Sequence, residues 1–407
     1  MIIRNALVYT EDHIFEEKDI RIDAGRIAEI ADRGGLSLTC SRQGDGQGDE
    51  QDISQCDAQD SRQDSAEEIL DAAGLKLIPG LVDIHFHGAV KHDFCDADIE
   101  GLEAIARYEA EHGITAICPA SMSFSEEILN GVIDNAVLFK SRQETGGYEG
   151  TIADLVGINV EGPFININKA GAQNPRYIMD PDIGMFERML DRSEGLIKLV
   201  DIAPELDGAM EFIDIFKDRV KVSLAHMCAD FETADEAFKA GAKHLTHLYN
   251  AMPDISHRNP GPILAAKENH AEAELIADCV HSHPAMIRLA FDMFDEDKII
   301  LIADSMMACG LEDGDYELGG QAVTVRGNVA VLTDAPETIA GSVTNLYDCM
   351  KKSILEVGIP EERAIRAASE NPAVSIGIDS DYGSIAVGKK AKLLLVDEEY
   401  NLRQVIC

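Results

Sequence analysis

The sequence predicts an α/β protein: a (β/α)8, TIM-like barrel over residues 77–382, with a small β-sandwich domain built from both chain ends, 1–76 and 383–407. Three observations predict it. From residue 77, eight short β-rich runs alternate with amphipathic helical stretches, the pattern of a parallel sheet. Both chain ends instead alternate apolar and polar residues around turn signals. Histidines and carboxylates collect where the eight runs end.

The first segment, "MIIRNALVYT" through "DIRIDAGRIAEI", reads as short antiparallel strands joined at turns such as "DAGR". Residues 40–68 are rich in Gln, Asp, Ser and Gly and almost lack large apolar side chains. Such a stretch cannot bury a core and is expected to be a flexible surface insertion.

The eight runs are "KLIPGLVDIHFH", "GITAICPA", "ADLVGINVEG", "LIKLVDIAPE", "RVKVSLAHM", "AKHLTHLYN", "AELIADCVH" and "KIILIADS". Helical segments such as "DIEGLEAIARYEAEHG" and "ETADEAFKAGA" separate them. Eight units in about 230 residues match the count and size of a (β/α)8 barrel. A doubly wound sheet is the competitor, but no G-x-G-x-x-G follows the first run. Beyond the eighth run, "YELGGQAVTVRGNVAVLTD" predicts a hairpin turning at Arg326-Gly327-Asn328. Two helices follow, "SVTNLYDCMKKSILEVG" and "PEERAIRAASENPAVSIG", and the tail "GSIAVGKKAKLLLVDEEYNL" returns to strand patterning. It is expected to pair with the N-terminal strands.

The bulk numbers exclude several classes. The 407 residues are 45% hydrophobic and 27% charged, an ordinary globular balance. No apolar run reaches the roughly 20 residues that span a bilayer. The N-terminus has neither a basic region nor a long apolar region of a secretory signal. Nine scattered cysteines without a C-x-x-C pair read as reduced thiols, so a cytoplasmic protein is expected. With 35 Lys+Arg against 74 Asp+Glu, the net charge of −39 repels nucleic acid and anionic membranes. Any phosphate site must be built locally, from backbone N–H groups and a few cations.

The run ends carry the chemistry. In "LVDIHFHGAV", alternation puts Val82, Ile84 and Phe86 on one face and Asp83, His85 and His87 on the other. Imidazoles about 7 Å apart along one face can tilt toward a single ion. Two stacked polar residues at a strand end is the plain alternative, and the other runs decide. The third ends in Glu161, the fifth in His226, the sixth in His247, the seventh in His281 and the eighth in Asp304. Barrel active sites are drawn from the C-terminal ends of several strands. Imidazoles and carboxylates in that layer point to a divalent metal site, for Zn²⁺, Fe²⁺ or a similar ion. His13, His92, His112, His244, His257 and His270 are expected on the surface or in loops, and His283 to be structural. Asp83 is a candidate to support a ligand, and His281 carries the weakest claim of the seven.

The motifs "PGLVDIHFHG", "EGPF" followed by "KAGAQNP", "HLYNAMPDISHRNPG", "ELIADCVHSHP", "LIADSMMACGL" and "IAGS" resemble the metal-dependent amidohydrolase superfamily. Within it the sequence resembles the N-acetylglucosamine-6-phosphate deacetylase family, over nearly the whole chain outside the insertion. The resemblance implies hydrolytic deacetylation of an N-acetylhexosamine 6-phosphate by a metal-activated water. It implies one or two divalent ions (Zn, Fe, Mn or Co) per subunit. Glu161, His226 and His247 match the ligands of the constant ion, and His85 and His87 those of a second ion, with Glu161 bridging. Asp304 matches the general acid/base and His281 a substrate-binding residue. Asn250 and Ala251 match a phosphate cradle. Arg258 matches an arginine that reaches the phosphate of the neighbouring subunit, which implies a homodimer. Gln173 stands where some members have His; its amide can still bind a sugar hydroxyl. Asn159, Ala225, Ala303 and Met307 flank the ligands where relatives often differ. The resemblance does not separate the gluco from the galacto epimer. A cyclic-amide hydrolase of the dihydroorotase or hydantoinase kind is a rival, but those usually bridge metals with a carboxylated lysine. A non-catalytic binding protein on the same scaffold is another, though no ligand is missing.

Overall fold

The computed structural model describes residues 1–37 and 67–407, so the expected insertion at 40–68, apart from Glu67 and Glu68, lies outside the described residues. The chain divides into two units, Met1–Pro79 with Ser384–Cys407, and Gly80–Gly383.

In the first unit, strands Ile2–Tyr9, Phe15–Asp23 and Arg26–Asp32 run antiparallel in that order. The second hairpin turns on Ala24 and Gly25, both at positive φ, which matches the right-handed strand twist. Ile69–Asp71 and Lys76–Pro79 pair parallel with the same first strand. The chain's end supplies Leu393–Val396, antiparallel to Lys76–Pro79, and Leu402–Ile406 beyond it. The pairing of the tail with N-terminal strands is thus as expected. The pairing does not confirm the sandwich: these strands are linked into one seven-stranded sheet. Alternation reports how many faces of a strand are buried, and is blind to how many sheets share the burial. Ile3, Val8, Ile20, Ile27, Leu77, Leu393 and Leu395 form its core.

In the second unit the eight runs become strands Leu81–Asp83, Ile114–Ile117, Ile158–Val160, Ile197–Ile202, Lys221–Leu224, His244–Leu245, Glu272–Ile276 and Ile299–Ile302. From the third onward each pairs parallel with its successor. The first pairs parallel with the second, and a parallel bridge, Ala120 to Asn159, joins the second to the third. At the other edge, Asp304 N–H donates to His85 O at 2.9 Å and His87 N–H to Ser305 O at 2.7 Å. The parallel sheet therefore curls until its last strand meets its first, consistent with a barrel.

Local chemistry sets the helices between. Asp98 caps Ile99–Glu111 by accepting from the N–H groups of Glu100 and Gly101. Leu102, Ile105, Ala106 and Ala110 recur at helical spacing and are buried. Asp230 caps Phe231–Ala240 in the same way. Val82, Ile84, Ala116, Leu199, Ile276, Ile300 and Ile302 pack with Ala373 and Ile376. Burying each such aliphatic side chain contributes about 1.5–3 kcal/mol.

Two stretches differ from expectation. The hairpin is half of a four-stranded antiparallel meander, Gly314–Leu318, Gln321–Arg326, Val329–Leu332 and Ala335–Ile339. Its expected turn is present as Gly327-Asn328, since Arg326 pairs with Val329. Each of the two helices is interrupted: Leu346–Lys352 continues as a wider π turn, and Glu361–Ala368 breaks at Ser369 before Glu370–Ser375. Pro372 in the first turn of the last segment lacks the N–H that a continuous helix would use.

Candidate metal centre and active site

Every candidate ligand sits one to four residues past the end of its strand, where the backbone leaves the ladder and the side chain is free to turn inward. His85 and His87 follow Leu81–Asp83, Glu161 follows Ile158–Val160, His226 follows Lys221–Leu224, His247 follows His244–Leu245, and Asp304 follows Ile299–Ile302. All six are buried. Two compact groups result, Glu161 with His226 and His247, and His85 with His87 and Asp304.

In the first group, Glu161 Oε1 lies 2.9 Å from His226 Nε2 and 3.2 Å from His247 Nε2, and the two imidazole nitrogens are 3.0 Å apart. In the second, His87 Nε2 lies 3.2 Å from Asp304 Oδ1 and His85 Nε2 4.0 Å from the same oxygen. Glu161 faces both groups: its Oε2 is 3.3 Å from His87 Nε2 and its Oε1 3.7 Å from His85 Nε2.

The proton positions test whether a cation fits. His226 Nδ1 contacts Lys169 O at 2.7 Å and His87 Nδ1 contacts Ala120 O at 3.2 Å. A carbonyl only accepts, so each Nδ1 carries a proton and each ring turns its Nε2 inward. His85 Nδ1 donates to Glu274 Oε2 at 2.8 Å, and its buried Nε2 has no hydrogen-bond partner among the described residues. Imidazole Nε2 atoms and carboxylate oxygens thus face one another at close range. Positive charge must sit among them, and nitrogen and oxygen donors in this arrangement fit a divalent cation. The carboxylates express the same demand. Burial pushes Glu161 up, but the His85 charge and the hydrogen bonds from His226 and His247 hold it well below the usual range. Asp304 is likewise lowered, since His87 and His85 outweigh its burial. His85 moves the opposite way: the charges of Glu274 and Glu161 overcome burial and raise it well above an ordinary imidazole.

A cavity of about 500 Å³ opens onto these groups. His87, Glu161, His226, His247 and Asp304 line it, as do Gln173, Asn250, Ala251 and His281. His281 is held from behind, its Nδ1 donating to Asp278 Oδ2 at 2.8 Å. Burial lowers its pKa, Asp278 raises it, and the net shift is upward. Gln173 accepts from Ser123 N–H at 2.6 Å, which leaves its amide nitrogen to donate to Glu161 Oε2 at 2.7 Å. The Asn250 side chain donates to the backbone oxygens of His247 and Leu248. Arg258 is exposed and does not line this cavity. A cavity of about 530 Å³ at the opposite strand ends, around Lys198, Lys221 and Lys243, holds none of these ligands.

Several residues escaped the sequence reading. Glu274 is fully buried behind the ligands, and Asp278 steadies His281. Lys169 contributes only its carbonyl to His226, and its side chain also lines the cavity. Glu274 and Lys169 carry no local signal, because their partners lie 189 and 57 residues away, whereas Asp278 precedes His281 by only three residues. His244, expected at the surface, is instead buried against Ser223 Oγ at 2.9 Å. It opens its strand with the side chain inside, which "AKHL" alone does not reveal.

Residues 77–407 match the Amidohydrolase family. N-acetylglucosamine-6-phosphate deacetylase of Bacillus subtilis (strain 168) is 37% identical over 100% of this chain and 96% of its own. N-acetylgalactosamine-6-phosphate deacetylase of Escherichia coli O157:H7 is 30% identical over 81% of this chain and 85% of its own. Among solved structures, a mutant N-acetyl-D-glucosamine-6-phosphate deacetylase of Mycobacterium smegmatis, in complex with N-acetyl-D-glucosamine-6-phosphate, has a TM-score of 0.83 at 27% identity. The match covers 100% of this chain and 97% of that one. The chain belongs to the amidohydrolase family, among relatives that are N-acetylglucosamine-6-phosphate deacetylases.

Proposed function

We propose that this chain hydrolyses the acetamide bond of N-acetylglucosamine 6-phosphate, giving acetate and glucosamine 6-phosphate. One observation carries the reading: Glu161, His226 and His247 meet His85, His87 and Asp304 beside one cavity, in a chain whose full-length relative has that activity. The curled sheet is read as a (β/α)8 barrel with this cavity at its C-terminal end.

Glu161, His226 and His247 would hold one divalent cation, and His85 and His87, with Glu161 shared, a second. Such an ion (zinc, iron, manganese or cobalt) lowers the pKa of a water it contacts toward neutrality and polarises a carbonyl. Asp304, kept ionised by its imidazole neighbours, accepts the proton that the attacking water sheds. It then delivers that proton to the departing nitrogen, so that a neutral amine leaves. The Asp278 contact favours the form of His281 in which Nε2 also carries a proton, a donor for the developing negative oxygen. Gln173 steadies Glu161 and shapes the sugar's subsite. Backbone groups at Asn250 and Ala251 would cradle the phosphate. Arg258, exposed and outside its own cavity, would supply a bidentate fork to the phosphate of a second subunit.

The 30% identical galactosamine relative supports a second reading, in which the galacto epimer is the substrate. Acetate release from the two epimeric N-acetylhexosamine 6-phosphates decides between them. Higher kcat/KM on the gluco epimer is expected; release from neither overturns the proposal.

A further inference from the structure

Glu274 lies in the strand Glu272–Ile276 and is fully buried, yet it lines neither of the two cavities described and stands outside both donor groups. An isolated buried carboxylate is costly, and an apolar residue of similar volume would be no worse for stability. Its contacts give the reason it is there. Oε2 accepts from His85 Nδ1 at 2.8 Å and from the His247 backbone N–H at 3.2 Å. Among the described residues Oε1 has no hydrogen-bond partner, and His244 Nε2, also without one there, is 3.9 Å away. One oxygen therefore holds a ring of the second donor group and the backbone of a ligand in the first. The first group has other supports, because Lys169 O fixes His226. Among the described residues, His85 has no other side-chain hydrogen bond.

We propose that Glu274 is the positioning residue for His85: its carboxylate fixes the tautomer and tilt of that ring, and ties it to the His247 backbone so that the two donor groups form one unit. The inference rests on the two-cation reading above. A hydrogen-bond acceptor behind a ligating imidazole sets its tautomer and ring orientation, and loss of that support typically weakens metal binding 10–100-fold.

The test compares E274D, which keeps the charge but draws it back from His85, with E274Q, which keeps an oxygen within reach. Zn²⁺ binding is measured by competition with a chromophoric chelator, which resolves equivalents and their affinities. Two equivalents are expected in the wild type. E274D should weaken the second at least about tenfold and the first little, while E274Q stays within about threefold of wild type. Unchanged second-site affinity in E274D, or equal loss at both sites in both variants, overturns the proposal. A single equivalent in the wild type overturns the two-cation reading instead. The Glu274 contact is then judged in metal-free protein by the ¹⁵N-coupled Nδ1–H signal of His85. That signal should be present in wild type and E274Q and lost in E274D; its persistence in E274D counts against Glu274.

Discussion

His226, His247 and Asp304 adopt left-handed backbone conformations, with φ of 42°, 31° and 48°. Such conformations cost a non-glycine residue about 1–3 kcal/mol each and persist where the surroundings impose them. Here they turn three side chains off the ends of their strands toward the two adjoining donor groups. The residue types were legible in the sequence because imidazoles and carboxylates recur at run ends. The strain and the locking partners were not, since Ala120 O, Lys169 O and Glu274 are far from their imidazoles in sequence. At this scale the acid/base assignment is testable. D304N should lower kcat by about 10²–10⁴ while the cation of the Glu161 group is retained, as read by steady-state kinetics and metal analysis of the same sample. Near wild-type turnover removes the assignment. R258A should raise KM for the phosphorylated sugar far more than for its unphosphorylated analogue; equal rises in both give Arg258 a structural role.

Strand exits are the elements that aim these residues, and two glycines show how little room they leave. Gly162, directly after Glu161, has φ of 84°, and an added Cβ would meet Ser123 Oγ at 2.2 Å. Gly341, in the "IAGS" stretch, has φ of 63° and would crowd Asp304 O at 3.2 Å. G162A should destabilise the fold by at least about 1 kcal/mol and weaken binding of the first cation, checked by thermal unfolding and chelator competition. Unchanged values in both would separate the Glu161 loop from the site. Element types were legible wherever periodicity was strong: all eight runs are strands, and the helix of "DIEGLEAIARYEAEHG" spans Ile99–Glu111. The meander was half visible, because only one of its turns combines Gly and Asn between matched apolar runs. The single end sheet was not legible, since strand alternation carries no record of partners.

For the whole molecule, a net charge of −39 means that an anionic substrate is bound against the long-range field and must rely on local donors. No helix among the described residues is long and apolar enough to cross a membrane. The proposed exchange of Arg258 between subunits has a direct assay. Mixing R258A with D304N chains should regenerate one complete site per mixed dimer, with KM for the phosphorylated sugar returning toward wild type; no recovery places Arg258 on its own chain. Buried charge also shapes stability. Burial pushes Asp83 up to about 8, well above a carboxylate in an unfolded chain. The folded state then binds more protons, so this group's contribution is full below pH ~4 and is lost as pH rises toward 8. D83N should therefore gain stability relative to wild type as pH rises across that window, read from denaturant unfolding.

The claim on which the account depends is a cation held by Glu161, His226 and His247, and its most direct test is one protein sample carried through chelation. Bound metal and acetate release from N-acetylglucosamine 6-phosphate are measured before stripping, after stripping and after adding the ion back. The expected result is at least one equivalent bound at the start, turnover lost with the metal, and both restored together. Full turnover by metal-free protein would contradict it.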